Sequence, residues 1–553
     1  MKAHRRSWFL AFLVGLACIA GCTSGGAGPG TTPADGYSVT YDGNGNTGGS
    51  VPVDATHYTQ GQTATVLGNT GGLVKTGYVF ASWNTQADGT GTSYLQGQVY
   101  TIATSNVTLY ARWTPNGSGG YTVTYDGNGA TGNVPVDSGS YVQTQKVTLP
   151  AGAGGLTYDG YTFVGWQTKA DGSGVAYAPG TTFEMPANNV TLYALWAGGY
   201  AYVVNQNSGS AGNISQYTIG PNGALTAMFT PTVATGGANS QLIAADPSGK
   251  YIYVSNVSAN TVSQFTIGAN GALTAMATPT VLMGTGAGVL YYPFSIAVHP
   301  TGKWAYVANI EKLTVNQYAI GADGALSPLT PLAVTTPASP DSIAIHPTGK
   351  WAYVADADGN TVSQYAIDQT AGTLALMTPP TVASGHNAYT VVVEPKGKAA
   401  YVTNYGDGFL SQYAIDQSTG ALTPMVPPTV PIAAGAVGAV SIAVDPTGRF
   451  AYASILVNEA APDAVIAQFT IDQTTGALTA MATPTLSAGG AAAVRIAIES
   501  SGKFAYATCG NSGWGSTTVA QFSIDQTTGA LTLLKNPTVQ AGSWPNGIVT
   551  VGK

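Results

Sequence analysis

Residues 295–329 read SIAVHPTGKWAYVANIEKLTVNQYAIGADGALSPL and carry the pattern that decides the fold of most of this chain. Four short runs, SIAVHP, WAYVAN, TVNQYAI and GALSPL, are rich in β-branched and aromatic residues and are separated by Pro, Gly and Asp. Such runs are typical of strands, and they are interrupted too often for helices. The stretch predicts four β-strands, which we name a, b, c and d, with Pro-Thr-Gly-Lys turning the chain between a and b.

The same unit recurs along the chain every 47 to 56 residues. Each copy is marked in strand c by a glutamine that is followed by Tyr or Phe and, two positions further, by Ile. A four-stranded sheet with two apolar faces cannot stand alone, whereas seven sheets stacked radially bury each other's faces. We therefore predict an all-β chain in which residues 200–553 form a seven-bladed β-propeller. The marking residues are Gln216, Gln264, Gln317, Gln364, Gln412, Gln468 and Gln521.

The two ends of the array predict how the ring closes. The first copy starts directly at strand b, Ala201 to Val204, whereas Asn546 to Val551 reads as a strand a with no b after it. We expect this last strand to complete the first blade, because closure removes the unpaired edges that an open array would leave.

The array also resembles a known family. Tyr401-Val402-Thr403-Asn404 spells the YVTN motif, and residues 200–553 resemble the YVTN and lactonase-type seven-bladed propellers throughout. The resemblance is specific for the fold and weaker for the activity, because one fold hosts many functions.

Two copies of a different unit precede the array, at residues 37–113 and 121–196. YSVTYDGNG matches YTVTYDGNG, and NVTLYARW matches NVTLYALW, at an offset of 83 or 84 residues. These copies resemble the internalin-type B repeat, a small β-grasp-like module of bacterial surface proteins, which implies a spacer or adhesion role.

The polar and aromatic residues of these modules have structural interpretations. We interpret the tryptophans as core residues rather than sugar platforms, because a domain of about 75 residues needs large apolar side chains. Several Asp and Asn side chains could suggest calcium, but each lies beside a Gly where a turn needs it. The tryptophans are Trp83, Trp113, Trp166 and Trp196, and the turn residues are Asp42, Asn44, Asp88, Asp126, Asn128 and Asp171.

The first 36 residues predict export and anchoring. Basic residues precede an apolar run from Trp8 to Ala20, which is short for a spanning helix and typical of a signal peptide over residues 1–21. Ile19-Ala20-Gly21-Cys22 resembles the lipobox of bacterial lipoproteins, which implies cleavage before Cys22 and its acylation. Residues 22–36 then form a flexible tether, and by the same resemblance Thr23 rather than Asp after the Cys permits outer-membrane sorting in a diderm cell.

Charge and cysteine content exclude several classes. The 553 residues carry 18 basic and 25 acidic side chains, and removal of residues 1–21 takes away three basic ones, so the formal charge falls from −7 to −10. A nucleic-acid partner is therefore not expected. Of three cysteines, only Cys509 remains unmodified, so no disulfide framework is expected.

The two faces of the predicted ring differ. The a–b and c–d turns are nearly uniform between copies, whereas the d–a and b–c loops diverge, as GTGAGVLYYPF and CGNSGWGSTT show. We assign recognition to the divergent loops and call their face the variable face. His299 and His346 fall in the uniform a–b turns, so we interpret them as turn residues.

The start of strand a supplies the candidate ligand-binding residues of the variable face. Arg495 stands in a slot that is otherwise filled by small or apolar residues, and a guanidinium there would suit a carboxylate or phosphate. The alternatives are a structural salt bridge and a side chain that extends to the surface. The full candidate set is Tyr292, Phe294, Tyr389, Arg495, Trp514, Trp544 and Asn546.

Catalytic residues are less clearly indicated. Lactonase-type relatives carry a Pro-His pair where the chain enters strand a. This chain has Pro293-Phe294, Pro340-Asp341 and Pro545-Asn546 at that position, so the Pro is present and the His is missing. The remaining candidates for lactone opening are Asp341, His386 and Arg495 on different blades. No metal-binding or nucleophile motif is present, and no cofactor is expected.

These observations leave three hypotheses. The first is a surface-anchored lipoprotein of the cell envelope, attached to the membrane through Cys22, whose propeller is a binding or adhesion platform for a glycan, peptide or small molecule. The second is an exported lactonase-type hydrolase, and the third is a structural envelope protein. The sequence leaves open whether the chain is an enzyme.

Overall fold

A computed structural model describes residues 36–76, 78–115, 120–206, 211–284, 290–456, 463–491, 493–510 and 517–553. Every regular element in these ranges is a β-strand, which confirms the all-β prediction. The expected signal peptide, Cys22 and Trp514 lie outside the described residues.

Two compact units make up the chain. The first holds residues up to Thr122 with Ser140–Lys146 and Glu184–Asn189, and the second holds Val123–Gly139, Val147–Phe183 and Val190–Lys553.

The first repeat forms a five-stranded sheet in the order β2-β1-β7-β4-β5. The repeat contains β1 (Tyr37–Asp42), β2 (His57–Tyr58), β3 (Thr63–Thr65), β4 (Tyr78–Asn84), β5 (Ser93–Tyr94), β6 (Val99–Thr101) and β7 (Val107–Pro115), of which β3 and β6 form a separate two-stranded sheet. Trp83 is only 1% exposed, and its Nε1 donates to the carbonyl of Leu67 at 2.8 Å. Trp83 is thus a core residue, as predicted.

The second repeat has a matching sheet in the order β11-β10-β13-β8. Its strands are β8 (Val123–Asp126), β9 (Lys146–Thr148), β10 (Thr162–Gln167), β11 (Ala176–Tyr177), β12 (Thr182–Glu184) and β13 (Val190–Ala197). Trp166 and Trp196 are buried, while Trp113 of the first repeat is half-buried. In both copies an aspartate accepts the backbone N–H two residues on at 2.7 Å, Asp42 from Asn44 and Asp126 from Asn128, which confirms their interpretation as turns.

The rest of the second unit is built from four-stranded antiparallel sheets, the blades of the propeller. Blade 1 contains β14 (Gly199–Asn205), β15 (Ala211–Ile219) and β16 (Leu225–Ala238). Blade 2 contains β17 (Ser240–Ala245), β18 (Tyr251–Asn256), β19 (Thr261–Ile267) and β20 (Leu273–Leu282). Blade 3 contains β21 (Pro293–Val298), β22 (Trp304–Asn309), β23 (Thr314–Ile320) and β24 (Leu326–Thr335).

Blades 4 to 7 repeat the arrangement. Blade 4 contains β25 (Pro340–Ile345), β26 (Trp351–Asp356), β27 (Thr361–Ile367) and β28 (Leu374–Ala383). Blade 5 contains β29 (Ala388–Val393), β30 (Ala399–Asn404), β31 (Phe409–Ile415) and β32 (Leu422–Pro431). Blade 6 contains β33 (Gly438–Val444), β34 (Phe450–Leu456), β35 (Asp463–Ile471) and β36 (Leu478–Ala491). Blade 7 contains β37 (Ala493–Ile498), β38 (Phe504–Cys509), β39 (Thr518–Ile524) and β40 (Leu531–Gln540).

The last strand closes the ring in the predicted way. β41 (Pro545–Gly552) is the fourth strand of blade 1 and pairs antiparallel with β14, from Gly199 opposite Gly552 to Asn205 opposite Pro545. Val551 of this strand is buried in the cluster that joins blades 1 and 2, beside Tyr202 and Val254. The first blade is therefore assembled from residues more than 300 positions apart.

The repeated glutamine of strand c joins each blade to the next, and we call this arrangement the glutamine latch. In every blade its Oε1 accepts the backbone N–H of the first residue of the next blade's strand d, at 2.5–2.9 Å. Its Nε2 donates to a carbonyl of its own strand d, as Gln216 does to Thr230 at 2.8 Å. The latch from Gln521 to Leu225 links blade 7 to blade 1 at 2.6 Å.

A tyrosine of strand b makes a second set of bonds between blades. In all seven blades its hydroxyl donates to a glycine carbonyl in the c–d turn of the next blade, at 2.6–2.8 Å. The closing bond runs from Tyr506 to Gly223. Because buried polar groups cost about 1–3 kcal/mol each when left unpaired, these groups fix the spacing of the blades.

The a–b turns have the structural role predicted for them. Asp445 accepts the backbone N–H groups of Arg449 and Phe450 at 2.6 and 2.7 Å. His299 occupies the same slot in blade 3, and its Nε2 donates to the carbonyl of Gly349 in the next blade at 2.8 Å. Burial lowers the pKa of His299, while the bond to the Gly349 carbonyl opposes that shift. His346 makes the corresponding bond to Gly397.

Candidate functional site

The start of strand a lies innermost in each blade, where strands a of neighbouring blades contact one another. We call the entry position of strand a, which is Phe294 in blade 3, the slot. Its occupants in three other blades, Gln241, Asp341 and Val440, are buried. Phe294, Tyr389 and Asn546 are half-buried. The slot therefore forms the inner floor of the variable face, and its side chains come from different blades.

Tyr389 is the centre of a cluster that reaches across these blades. The guanidinium carbon of Arg495 from blade 7 lies 5.2 Å from the centroid of the Tyr389 ring in blade 5. The Phe294 ring of blade 3 meets the same tyrosine edge to face at 6.0 Å. Three of the predicted ligand-binding residues are thus brought together, and we call them the cation–aromatic cluster.

Arg495 is held in place within this cluster. Its side chain is only 8% exposed, and its Nη1 donates to the carbonyl of Val440 in blade 6 at 2.9 Å. Buried guanidinium groups with fixed donors suit planar, oxygen-rich ligands. Arg495 therefore supplies a positioned positive charge on the floor of the variable face.

The floor is neutral in blades 1 and 2. Asn546 donates an amide hydrogen bond to Gln241, whose own Nε2 donates to Asn239 at 2.8 Å. These side chains hold each other through hydrogen bonds between their amide groups, and they carry no net charge. A ligand would accordingly meet charge at Arg495 and Asp341, and neutral donors and acceptors here.

One residue of this region was not predicted from the sequence, Asp356 at the end of strand b in blade 4. Its side chain is fully buried, and Oδ2 accepts the hydroxyls of Ser363 at 2.5 Å and Thr361 at 3.3 Å. Among the described residues its Oδ1 has no hydrogen-bond partner. Pro340 is its cross-strand partner, and the irregularity after Pro340 places Asp341 beside it.

Comparison between the copies would have revealed Asp356. The same position holds an asparagine in four other blades, where the amide donates to neighbouring side chains, as Asn256 does to Ser263 at 2.7 Å. Blade 4 alone among these five has a carboxyl group there. The equivalent asparagines are Asn205, Asn256, Asn309 and Asn404.

Burial raises the pKa of Asp356 to about 7, and the negative charge of Asp341 adds to the rise while the hydroxyls of Ser363 and Thr361 oppose it. Two neighbouring carboxyl groups thus differ in environment, since Asp356 keeps its proton close to neutral pH. Such a pair is a source of acid and base groups for catalysis.

Replacing Asp356 by asparagine is expected to stabilise the propeller at neutral pH by roughly 2–4 kcal/mol. An unfolded Asp loses its proton near pH 4, whereas folded Asp356 holds it up to about pH 7. Its contribution to stability is therefore complete below pH 4 and is lost as the pH rises to 7. Urea unfolding of both chains from pH 4 to 8 measures this, and a difference that stays constant with pH would contradict it.

The remaining predicted residues lie elsewhere on the variable face. The His386 side chain is 77% exposed and pairs with Asp407 of the b–c loop at 3.1 Å. Tyr292 and Trp544 precede the slot with φ angles of 53° and 55°, so their backbones turn the chain into strand a. Within the described residues no group of three or more His, Cys, Asp or Glu could hold a metal ion. No helix in that part of the chain is long and apolar enough to cross a membrane.

The family model described as a lactonase with a seven-bladed β-propeller matches residues 187–427 and, in an overlapping match, residues 293–545. Together the two matches cover more than half of the chain. The chain belongs to the lactonase family of seven-bladed β-propellers. The matched residues of this lactonase-family chain include every blade and the whole cation–aromatic cluster.

Solved structures have the same fold as this lactonase-family propeller. A Bacteroides fragilis protein assigned as a 6-phosphogluconolactonase is 22% identical, with a TM-score of 0.53 over 64% of this chain and 98% of that one. The periplasmic gluconolactonase of Pseudomonas aeruginosa is 19% identical, with a TM-score of 0.53 over 64% and 99% of the two chains. At these identities the likeness establishes the fold alone.

The N-terminal copies match a second family. The model of the Listeria-Bacteroides repeat domain matches residues 37–112 and 121–195, which confirms the resemblance to internalin-type repeats. Internalin H of Listeria monocytogenes is 35% identical over 125 residues, 22% of this chain and 19% of that protein. An Evansella cellulosilytica protein named as a Gly-rich membrane protein is 36% identical over 180 residues, which are 32% of this chain and 20% of that protein. This chain thus spans about a fifth of these curated relatives.

Proposed function

We propose that the propeller hydrolyses a small lactone on its variable face. The observation that carries the proposal is Arg495, a buried guanidinium held on the Tyr389 ring. The lactonase-family match supports it further. It is favoured over the binding or adhesion platform, because opening a lactone needs the two kinds of group that this floor contains.

The chemistry follows from the character of these groups. Asp341, as a carboxylate, takes a proton from water while the water oxygen bonds to the lactone carbonyl carbon. Arg495 stabilises the negative charge that develops on the carbonyl oxygen. The ring carbon–oxygen bond then breaks, and the leaving oxygen receives the proton from Asp341. One lactone and one water give one hydroxy acid.

The Asp341–Asp356 pair and the aromatic rings indicate the kind of substrate. Burial raises the pKa of Asp356 to about 7, so Asp356 is the proton-holding member of the pair below that pH, and we assign the role of carboxylate to Asp341. Phe294 and Tyr389 supply apolar surface beside the guanidinium. A small lactone ring with an apolar face, uncharged or carrying one carboxylate or phosphate group, fits this combination of groups.

Turnover of a lactone panel tests this function. The full chain, purified in detergent, is expected to open at least one of γ-butyrolactone, δ-gluconolactone, 6-phosphogluconolactone and an acyl-homoserine lactone above the spontaneous rate. Acid release in a pH-stat measures it. The Asp341→Asn variant is expected to lose about 100-fold or more in kcat/KM, the usual range for a general base.

The matched control is Asp323→Asn, in an exposed c–d turn away from the variable face. This variant is expected to keep full turnover. Failure of the unmodified chain to open any of the four lactones would refute the proposal, and so would full activity of folded Asp341→Asn.

We also propose that the chain is a lipoprotein of the cell envelope, anchored through acylated Cys22. The support is the lipobox-like Ile19-Ala20-Gly21-Cys22, the Listeria-type surface repeats and the relatives named as membrane proteins. The Cys22→Ala variant is expected to move from the membrane fraction to the soluble fraction and to lose incorporation of labelled palmitate. Retention of both label and membrane association would refute the anchor.

A further inference from the structure

Three aromatic side chains of the variable face are exceptions among the copies of the blade. Phe294 and Tyr389 occupy the slot, which holds a residue without an aromatic ring in the other five blades. Tyr405, the residue after strand b of blade 5, is likewise the only aromatic residue at its position. The other blades have Gln206, Val257, Ile310, Ala357, Leu456 and Gly510 there. Because those blades are built without these rings, the fold itself does not require them.

The three exceptions lie together. The centroid of the Tyr405 ring is 5.6 Å from that of the Tyr389 ring, and Phe294 meets Tyr389 at 6.0 Å. The guanidinium of Arg495 lies over the same tyrosine. All three aromatic residues are half-buried, so part of each side chain is open to solvent. The rings therefore form an apolar surface that begins at the positive charge of the proposed active site.

This surface continues into the d–a loop of blade 6. Gly438 lies against the backbone of Tyr405, since a Cβ added to this glycine would be 2.1 Å from the Tyr405 carbonyl oxygen. The preceding residue, Val437, is 49% exposed. Its side chain thus offers apolar surface to solvent next to Tyr405. We call Phe294, Tyr389, Tyr405 and Val437 the apolar strip.

Hydrogen bonds between two loops of blade 5 hold Tyr405 in position. Its backbone N–H donates to the carbonyl of Asn387 at 2.9 Å, and the N–H of Gly406 donates to the carbonyl of His386 at 3.2 Å. Asp407 accepts the backbone N–H of His386 and pairs with the His386 ring at 3.1 Å. Tyr405 is therefore in place before a ligand arrives, which lowers the entropy cost of binding.

We propose that the apolar strip binds an unbranched alkyl chain carried by the lactone ring. This inference rests on the proposed lactone hydrolysis and narrows its substrate class to lactones with an apolar side chain. With the lactone carbonyl at Arg495, the chain lies along Tyr389 and Tyr405 toward Val437. Burial of its methylene groups there favours binding, whereas hydroxyl groups in the same place would lose their hydrogen bonds to water.

Turnover of two γ-lactones that differ only in chain length tests this inference. γ-Nonalactone has a pentyl group where γ-valerolactone has a methyl group, and full burial of each added methylene would raise kcat/KM about fourfold. Because the rings are only half-buried, we expect the full chain to prefer γ-nonalactone by about tenfold or more, after subtraction of spontaneous hydrolysis. Tyr405→Ala is expected to lower this preference to about twofold or less.

The matched control is Tyr251→Ala, at a half-buried tyrosine on the a–b end of blade 2, whose hydroxyl donates to the carbonyl of Ala322 at 2.9 Å. This variant is expected to keep the preference for the longer chain. Equal turnover of the two lactones by the unmodified chain would overturn the inference and leave lactone hydrolysis intact. A preference that survives in folded Tyr405→Ala would place the alkyl chain elsewhere and would overturn it as well.

Binding of two cyclic ketones separates this inference from a failure of the proposed hydrolysis. 2-Methylcyclopentanone and 2-pentylcyclopentanone resemble the two lactones in shape but cannot be hydrolysed. In saturation-transfer NMR titrations of the full chain, the pentyl compound is expected to bind about tenfold or more tightly, and Tyr405→Ala to remove the difference. That result without turnover of any lactone would refute the hydrolysis and support the apolar strip as a binding site. Equal binding of the two ketones by the unmodified chain would overturn the inference.

Discussion

Ending the chain after Gly542 is expected to abolish the cooperative unfolding transition of the propeller. The shortened chain loses β41, so β14 is left with an unpaired edge from Gly199 to Asn205. It also loses the side chain of Val551 from the core between blades 1 and 2. Burial of one apolar side chain stabilises a fold by about 1.5–3 kcal/mol, whereas the free energy of unfolding of a whole domain is only ~5–15 kcal/mol. Loss of a strand ladder together with its buried side chains therefore removes much of the stability of the propeller.

Circular dichroism during heating, with limited proteolysis in parallel, measures this effect. The control ends at Gly552 and lacks only the exposed Lys553, so it is expected to melt like the full chain. A peptide of residues 543–553 added to the shortened chain is expected to restore part of the transition. If the shortened chain melted cooperatively within a few degrees of the control, closure by β41 would not be essential to the fold.

Replacing Arg495 by glutamine is expected to lower lactone turnover by about 100-fold or more, while substrate binding changes less. The guanidinium is fixed by the Tyr389 ring and the Val440 carbonyl, so it is in place before charge develops on the substrate. Glutamine keeps a hydrogen-bond donor but has no charge. The loss should therefore be in kcat, because the interaction that disappears is made mainly in the transition state.

The propeller contains one other arginine, which provides a matched control. Arg449 lies in an a–b turn, where its Nη1 donates to the carbonyl of Gln526 at 2.8 Å, away from the variable face. Arg449→Gln is expected to keep full turnover and to melt like Arg495→Gln within a few degrees. Equal activity in folded Arg495→Gln and Arg449→Gln would exclude Arg495 from the chemistry.

Much of the fold could be predicted because it is repeated. The glutamine of strand c recurs in every copy, so the number of blades follows from counting, and the missing strand a of the first copy predicts its pairing with β41. The a–b turns could be interpreted as structural in the same way, since His299 stands where Asp445 stands in another blade. In each case, agreement between copies is the signal.

The site was less predictable because it depends on contacts between blades. Arg495 could be singled out as an exception to its slot, but its position on the Tyr389 ring depends on the diameter of the ring and on the direction of both side chains. Asp356 was missed for another reason. An Asp among asparagines at the end of a strand reads as a turn variant until its burial and its neighbour Asp341 are seen.

The glutamine latch has a consequence for how new specificities arise on this architecture. The latch and the tyrosine bonds lie in the middle of the blades and at their c–d end, so both sets of bonds use residues away from the variable loops. Insertions, deletions and substitutions in those loops leave the ring's assembly bonds intact. The loop sequences can therefore change during evolution while the propeller still folds. A library randomised over the d–a loops is expected to yield a high proportion of folded propellers.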